Sequence, residues 1–385
     1  MRVLFTSVPA VGHLHPMMPL ARAFLGRGDD VLWLTGADGC ARLVRAGIEA
    51  LAAGLDEPTG KGEFDRRFPE VLELLREQWP DFMFPKLFGR VRAPRMLQDA
   101  LPIAEAWGPD LVVCDAAELS GPIVASKLGV ANITHAFGSL LPSARVAAAA
   151  EEVGPLWAAN GLEPRPFCGC YDHGYLDIYP PSLQRADMSH LSGRQLLRAE
   201  AEATAGEDEP PEWLARPSPL PLLYLTLGTV FSSDAVLRAA IEAIRDLPVR
   251  VVLTVGPTGD PASIGAQPDN VHVARYIPQQ LLLPRCTAVI SHAGSGTFLA
   301  ALAAGLAQLC LPQAADQFVN SAAAVASGCG LAILPGAVDA NTIRDAVQRL
   351  LDDPSFRDAA TRTGEEMTAM PSAVEVAEIL AHAYG

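Results

Sequence analysis

The chain has 385 residues, of which 50% are hydrophobic and 19% are charged. This composition is typical of folded globular proteins and excludes an intrinsically disordered chain, and the length fits two domains of roughly 150–200 residues each. The formal net charge of −15 makes nucleic acids and anionic membrane surfaces poor partners.

The seven cysteines are scattered and form no Cys-x-x-Cys pair, which favours reduced, buried thiols. Cys168-Gly-Cys170 has no histidine or second pair nearby and therefore does not predict a metal site. The chain opens directly on an apolar strand, without a leader-like segment. Its longest run of low charge, residues 298–312, is too short to span a bilayer. We therefore expect a cytoplasmic protein without a membrane partner.

The first forty residues predict a strand–helix–strand unit. Residues 3–7 form a strand, residues 8–13 a turn, and helical spacing follows from Leu14 to Leu25. Further strands are predicted at 31–34 and at 111–114, the latter followed by Asp115. Short apolar strands that alternate with helices predict a parallel sheet covered on both faces.

Residues 56–107 have a different character, because aromatic residues mix with charges and prolines and the periodicity is weaker. Long connections after strands often carry binding surface in α/β proteins. The other interpretation is that these aromatic residues form the core of intervening helices.

The second half repeats the α/β plan. Strands are predicted at 222–226, 249–255, 271–273, 287–290, 307–311 and 331–334, with a helix at 234–247. We predict four segments: a first domain over 1–205, an acidic, proline-rich linker over 206–220, a second domain over 221–371, and a last helix over 372–385 that can cross back to the first domain.

One turn in the second half has the pattern of a phosphate site. An apolar strand runs into Ser291-His292-Ala293-Gly294-Ser295-Gly296-Thr297, and a helical pattern follows. A helix N-terminus offers unpaired backbone N–H groups and the positive end of a dipole, so it binds phosphate without basic side chains. The alternative is that the glycines only allow a close helix–sheet turn.

Asp316 and Gln317 follow the next strand and combine a carboxylate with an amide, a pair suited to sugar hydroxyls. The alternative for Asp316 is to cap the helix that follows it.

These motifs, in this order, resemble family-one glycosyltransferases of the GT-B fold, and most of all the bacterial group that attaches deoxysugars to natural products. The motifs are Gly12-His13-Leu14-His15-Pro16, Pro109 to Asp115, Leu225-Thr226-Leu227-Gly228-Thr229, Arg275-Tyr276-Ile277-Pro278-Gln279, the His292 turn, and Asp316-Gln317 with Asn320. The resemblance covers nearly the whole chain. It implies two Rossmann-like, doubly wound domains that face each other across a cleft.

The resemblance also implies roles for individual residues. The donor diphosphate would contact Thr229, His292, Gly294, Ser295, Gly296 and Thr297; the nucleoside would contact Tyr276, Ile277 and Gln279; the donor sugar would contact Asp316 and Gln317. A protonated His292 can add one charge-assisted bond. Many relatives that use uridine diphosphate have a glutamate where this chain has Ala300, so the missing carboxylate favours a thymidine diphosphate (dTDP) sugar.

Catalysis is assigned to His13, which follows the first strand. A neutral imidazole can take the proton of an acceptor hydroxyl as that hydroxyl attacks the anomeric carbon. Asp115 would orient this imidazole and stabilise the imidazolium, and the reaction would invert the anomeric carbon. The alternative is a structural role, which we assign to His15.

No Asp-x-Asp pair occurs in the sequence, which favours a reaction without a metal ion or other cofactor. The acceptor is expected to be a small natural-product aglycone with apolar rings, bound by aromatic side chains: Trp79, Phe82, Phe84, Phe88 and Phe137, with Trp157 as a further candidate.

Three other functions were weighed. A nicotinamide-dependent enzyme is disfavoured because neither turn completes Gly-x-Gly-x-x-Gly. A sugar-nucleotide epimerase of the same fold and a non-catalytic auxiliary subunit remain as alternatives. The sequence leaves open a homodimer or a helper protein, and whether the new bond is made to oxygen, nitrogen or carbon.

Overall fold

The computed structural model describes residues 1–75, 78–200, 211–215, 218–228, 234–256 and 259–385. Thr229 lies outside the described residues, and so do residues 206–210 and 216–217 of the predicted linker. The chain divides into two compact units. The first contains Met1–Tyr179, Ala186–Glu202 and Met370–Gly385, and the second contains Pro180–Arg185 and Ala203–Ala369.

The first unit is built on a parallel sheet of seven strands over the described residues, in the order β3-β2-β1-β4-β5-β6-β7. The strands are β1 (Arg2–Thr6), β2 (Asp30–Thr35), β3 (Ala50–Ala52), β4 (Leu111–Asp115), β5 (Ala131–His135), β6 (Tyr175–Asp177) and β7 (Arg194–Leu196). Strands β1 and β4 are buried and pair in parallel, with Val3 opposite Leu111 and Thr6 opposite Cys114. Their carboxyl ends therefore meet at one edge of the sheet.

Helices cover this sheet. They are α1 (Val11–Gly26), α2 (Ala37–Arg45), α3 (Glu57–Arg67), α4 (Trp79–Met83), α5 (Ala93–Trp107), α6 (Gly121–Leu128) and α7 (Ser143–Ala159), with a π-helix at Phe84–Arg92 and short 3₁₀ turns at Pro69–Glu73 and Pro166–Gly169. The final helix of the chain, Ala373–Tyr384, packs against α1. Its first turn has a capping box, in which Ser372 and Glu375 satisfy each other's backbone N–H groups.

The second unit has a parallel sheet of six strands over the described residues, in the order β10-β9-β8-β11-β12-β13. The strands are β8 (Leu222–Thr226), β9 (Arg250–Thr254), β10 (Val271–Ala274), β11 (Ala288–Ser291), β12 (Ala307–Cys310) and β13 (Gly330–Ala332). The helices are α8 (Glu212–Ala215), α9 (Asp234–Ile244), α10 (Gln279–Leu282), α11 (Ser295–Ala303), α12 (Gln317–Ser327), α13 (Ala340–Asp352) and α14 (Pro354–Thr368), with the last helix numbered α15; 3₁₀ turns lie at Pro261–Ile264 and Leu283–Arg285.

The predicted strands occur within one or two residues of their expected bounds, and the prediction of two units with parallel sheets is confirmed. One helix start was predicted wrongly. Helix α1 begins at Val11, since the N–H groups of His13 and Leu14 already bond to the Ala10 carbonyl. His13 therefore lies in the first helical turn and not in the preceding loop. Among the described residues, no helix is long and apolar enough to cross a membrane.

Candidate active site

His13 and Asp115 contact each other in the first unit. His13 lies in the first turn of α1, just after β1, and Asp115 is the last residue of the neighbouring strand β4. The Nδ1 atom of His13 is 2.9 Å from Asp115 Oδ2 and 3.1 Å from Oδ1. A carboxylate only accepts hydrogen bonds, so Nδ1 carries the proton of the neutral imidazole and Nε2 is the basic nitrogen.

The Asp115 carboxylate is held rigidly. Its side chain is 1% exposed. It accepts backbone N–H groups from Val8 to Oδ2, at 3.4 Å, and from Ala117 to Oδ1, at 3.2 Å. These bonds offset the cost of burying the charge, and they fix the direction in which the carboxylate holds His13.

Two aromatic rings lie beside the His13 imidazole. The Phe137 ring centroid is 4.3 Å from that of His13, and the Phe88 centroid is 6.2 Å away. The Phe84 and Phe88 ring centroids are 5.2 Å apart, but Phe84 is only 5% exposed. Phe84 therefore packs against Phe88 as a core residue. A small cavity opens beside Phe88, and Val8 and Ala117 also line it.

The structure places Trp79 and Phe82 elsewhere. Both pack in a separate hydrophobic cluster around Phe64, Val71 and Val91, and Trp157 is a fully buried core residue. This packing corresponds to the core interpretation of the aromatic segment, because α3, α4 and the π-helix need an apolar cluster of their own.

A second histidine, His135, ends β5 directly opposite Asp115 in the sheet. Its Nδ1 atom is 2.6 Å from the Ala136 carbonyl oxygen. Burial lowers its pKa to about 4, so the ring is neutral at physiological pH. His135 is not among the site residues predicted from the sequence, because β5, the strand that it ends, was not predicted either.

We predict that His135 makes stability depend on pH. Its pKa rises from about 4 to near 6.5 on unfolding, so the unfolded chain binds more protons below pH 6.5. Stability should therefore fall as the pH drops from 7.5 to 5, by about 2 kcal/mol from this group. Urea unfolding at both pH values measures the loss. His135→Asn, which keeps a side-chain N–H, should lose less, and an equal loss in both proteins would contradict the assignment.

The turn from β11 into α11 lies in the second unit. Ser291 ends the strand, Ala293 has a left-handed backbone with φ of +63°, and Gly294 is the N-cap of α11. The His292 ring is packed between two glycines: a Cβ atom would lie 2.6 Å from its Cε1 at Gly228 and 2.5 Å from its Nε2 at Gly294. The two glycines thus make room for the imidazole.

The charge-assisted bond suggested for His292 requires a protonated ring. Burial lowers its pKa, and the nearby Asp316 carboxylate offsets this in part. The ring is neutral at pH 7, and its buried Nδ1 has no hydrogen-bond partner among the described residues. A neutral imidazole still offers one N–H donor.

Asp316 binds the N-terminus of α11. Although it is the N-cap residue of α12, its side chain does not cap that helix. Its Oδ2 accepts the Ser295 N–H at 3.1 Å and the Ser295 hydroxyl at 2.5 Å. The Ser295 hydroxyl was predicted to contact diphosphate, but in this structure the Asp316 carboxylate holds it. The next backbone N–H groups at the terminus are those of Gly296 and Thr297.

The other predicted donor residues are positioned as follows. Tyr276 is 44% exposed, whereas Ile277 is buried in the core. Gln279 Nε2 donates to Thr297 Oγ1 at 3.0 Å, which joins the predicted nucleoside and diphosphate segments. Gln317 is 3% exposed, and its side-chain oxygen accepts the N–H groups of Gln313 and Ala314. That oxygen stabilises the loop, a role the sequence did not reveal.

Comparisons with known proteins agree with this architecture. Residues 238–382 match the family model described as "Erythromycin biosynthesis protein CIII-like, C-terminal domain". The chain is 32% identical to the elloramycin glycosyltransferase ElmGT of Streptomyces olivaceus over 406 residues, covering 100% of this chain and 98% of the relative. It is 31% identical to the L-demethylnoviosyl transferase of Streptomyces niveus over 391 residues, covering 99% and 98%.

Among solved structures, the spinosyn rhamnosyltransferase SpnG matches with a TM-score of 0.82 and 28% identity, over 99% of this chain and 100% of that one. SpnG has also been solved with thymidine diphosphate and with spinosyn aglycone. Both units are therefore Rossmann-like domains of the GT-B type. The chain belongs to the erythromycin biosynthesis protein CIII-like family of bacterial natural-product glycosyltransferases.

Proposed function

We propose that this protein transfers a deoxysugar from a dTDP-sugar to a hydroxyl group of a natural-product aglycone, with inversion and without a metal ion. The observation that carries the proposal is the 2.9 Å contact between His13 Nδ1 and a buried, hydrogen-bonded Asp115. A histidine held in one tautomer by a carboxylate is suited to general-base chemistry. Two relatives are named as a glycosyltransferase for elloramycin and an L-demethylnoviosyl transferase, and these names support the substrate class.

In the proposed reaction, the acceptor hydroxyl donates its proton to His13 Nε2 while its oxygen attacks the anomeric carbon of the donor. The bond from that carbon to the diphosphate oxygen breaks in the same step, so the configuration inverts. The imidazolium that forms is stabilised by Asp115, which stays ionised. The proton on His13 then passes to solvent or product.

The leaving diphosphate is proposed to bind at the N-terminus of α11. Charge that develops on its bridging oxygen meets the helix dipole, the N–H groups of Gly296 and Thr297, and one N–H of neutral His292. The unpartnered polar atom in the buried His292 ring supports a ligand at this place. These groups supply electrostatic stabilisation in a protein whose sequence has no Asp-x-Asp pair.

The acceptor is proposed to lie against Phe88 and Phe137, since these rings flank His13. An apolar ring of the aglycone that stacks there would place a neighbouring hydroxyl near the imidazole.

The nucleoside is proposed to be thymidine. Tyr276 presents an exposed ring for base stacking, and Ala300, in α11, offers no carboxylate for a ribose 2′-hydroxyl. The thymidine diphosphate complex of SpnG supports the same nucleotide.

We expect dTDP to bind about tenfold more tightly than UDP, because a 2′-hydroxyl buried without a partner costs roughly 1–3 kcal/mol. Calorimetry with dTDP, dUDP and UDP separates the two differences between the nucleotides, since dUDP and UDP differ only at the 2′ position. Ala300→Glu should narrow the gap between dUDP and UDP. If wild-type protein bound UDP as tightly as dUDP, the assignment of a 2′-deoxyribose site would be contradicted.

The whole proposal is tested by incubating the protein with dTDP-sugars and polyketide or other aromatic aglycones. Mass spectrometry should find a glycoside and NMR an inverted anomeric centre. A donor sugar whose configuration changes without any acceptor would favour the epimerase, and donor binding without turnover would favour the auxiliary subunit.

A further inference from the structure

Asn320 lies where two segments that are proposed to hold the donor meet. They are the turn at residues 291–297, the diphosphate turn, and the loop at residues 312–316 that ends with Asp316, the sugar loop. It is in the second turn of α12 and has no exposed surface. Its Nδ2 atom lies 2.9 Å from the Ala293 carbonyl oxygen, 3.1 Å from Ser295 Oγ and 3.4 Å from Asp316 Oδ2. One amide group therefore contacts the diphosphate turn at two points and the sugar loop at one.

The contact with Ala293 stabilises a strained backbone conformation. Ala293 has a φ of +63°, a conformation that residues with a Cβ adopt rarely and that persists only where neighbours impose it. Asn320 Nδ2 donates to the Ala293 carbonyl and so stabilises this backbone conformation directly before the N-terminus of α11. The amide thus holds the turn in the shape that the helix N-terminus needs to receive an anion.

The contact with Asp316 distinguishes the two oxygen atoms of its carboxylate. Oδ2 accepts the N–H and the hydroxyl of Ser295 and lies against the amide of Asn320. These contacts fill the directions in which one carboxylate oxygen accepts hydrogen bonds. Any sugar hydroxyl that Asp316 binds must therefore use Oδ1.

We infer that Asn320 is a positioning residue that locks the diphosphate turn and the sugar loop into one unit and presents Asp316 Oδ1 to the donor sugar. The inference rests on the proposed function, because it assumes that the turn binds the diphosphate of a nucleotide sugar. Asn320 acts through Ser295 and Asp316 and does not itself touch the donor.

The test compares two buried amides of the second unit. Asn320→Leu and Gln308→Met each replace an amide by an apolar side chain of similar size. Gln308 is equally buried and donates to the carbonyl of Phe298, the residue that follows the diphosphate turn in α11. Among the described residues, it makes no hydrogen bond to the Ala293 carbonyl or to Asp316. By calorimetry, Asn320→Leu should weaken dTDP binding about tenfold, and Gln308→Met should change it less than about threefold. Donor KM should rise in Asn320→Leu while acceptor KM stays within about twofold.

A role through Ser295 predicts coupling. In a Ser295→Ala background the effect of Asn320→Leu on dTDP affinity should shrink to less than half, whereas a general structural defect would add in full. Should Asn320→Leu not fold, Asn320→Asp keeps the shape, places a carboxylate against Asp316, and should weaken dTDP at least as much.

The results separate two failures. Wild-type protein that binds no dTDP would overturn the proposed function, and the inference with it. Wild-type protein that binds dTDP, with equal affinity in the Asn320 variants, would overturn this inference alone.

Discussion

Replacing His13 with alanine should lower kcat about 10²–10⁴-fold while changing dTDP affinity by less than about threefold. General-base catalysis contributes about 10²–10⁴-fold, and an acceptor hydroxyl is too weak a nucleophile without it. The proposed donor contacts lie on α11 and α12 of the second unit, so we expect nucleotide binding to survive the removal of an imidazole from the first unit. Steady-state kinetics at saturating donor and calorimetry with dTDP measure the two quantities.

His15 provides the matched control. It lies two residues further along α1 and is exposed, so His15→Ala makes the same chemical change in the same helix. Turnover of His15→Ala within a few-fold of wild type would locate the loss at position 13. Retained turnover in His13→Ala would remove this histidine from the mechanism.

The sequence predicted the neighbourhood of His13 and Asp115 for a physical reason. Both residues follow apolar strands, and the carboxyl ends of adjacent parallel strands meet at one edge. The pairing of β1 with β4 turned that expectation into a 2.9 Å contact. The helix start at Val11 was missed because Ala10 is not a capping residue type, so the local sequence carried no start signal.

The aromatic segment shows where sequence patterns fail. Trp79 and Phe88 both lie in the segment 56–107, where aromatic residues mix with charges and prolines. Trp79 nevertheless packs into a separate cluster, and Phe88 lies beside His13. Which ring faces the site depends on the π-helix at Phe84–Arg92, whose five-residue hydrogen bonds shift the register of every side chain within it.

Sequence motifs identified the proposed donor-binding residues, but they did not predict the hydrogen bonds among them. Asp316 and Ser295 are 21 residues apart in sequence and bond directly, and Asn320 joins both. Such a network is a property of packing between helices. A pattern that shows the residue types cannot show which lone pairs are already occupied.

We expect Gly294→Ala to weaken dTDP binding about 5- to 100-fold. Gly294 has a φ of −63°, which any residue can adopt, so its need for glycine is steric. An added Cβ would lie 2.5 Å from His292 Nε2, and the ring cannot retreat because Gly228 closes its other side. Overpacking of this kind costs about 1–3 kcal/mol, and a displaced His292 also loses its place at the turn. Calorimetry with dTDP measures the effect.

Gly296→Ala separates this clash from a general intolerance of the turn. A Cβ at Gly296 would meet no atom of the described residues within 4 Å, and alanine is favoured over glycine inside a helix, so dTDP affinity should stay within about threefold. The melting temperatures of both variants establish that the second unit is folded. Equal weakening by the two substitutions would mean that the space over Gly296 belongs to the ligand, and unchanged binding in Gly294→Ala would mean that the position of His292 does not matter. A contrast between these two glycines in one turn would identify the His292 imidazole as a required part of the proposed diphosphate site.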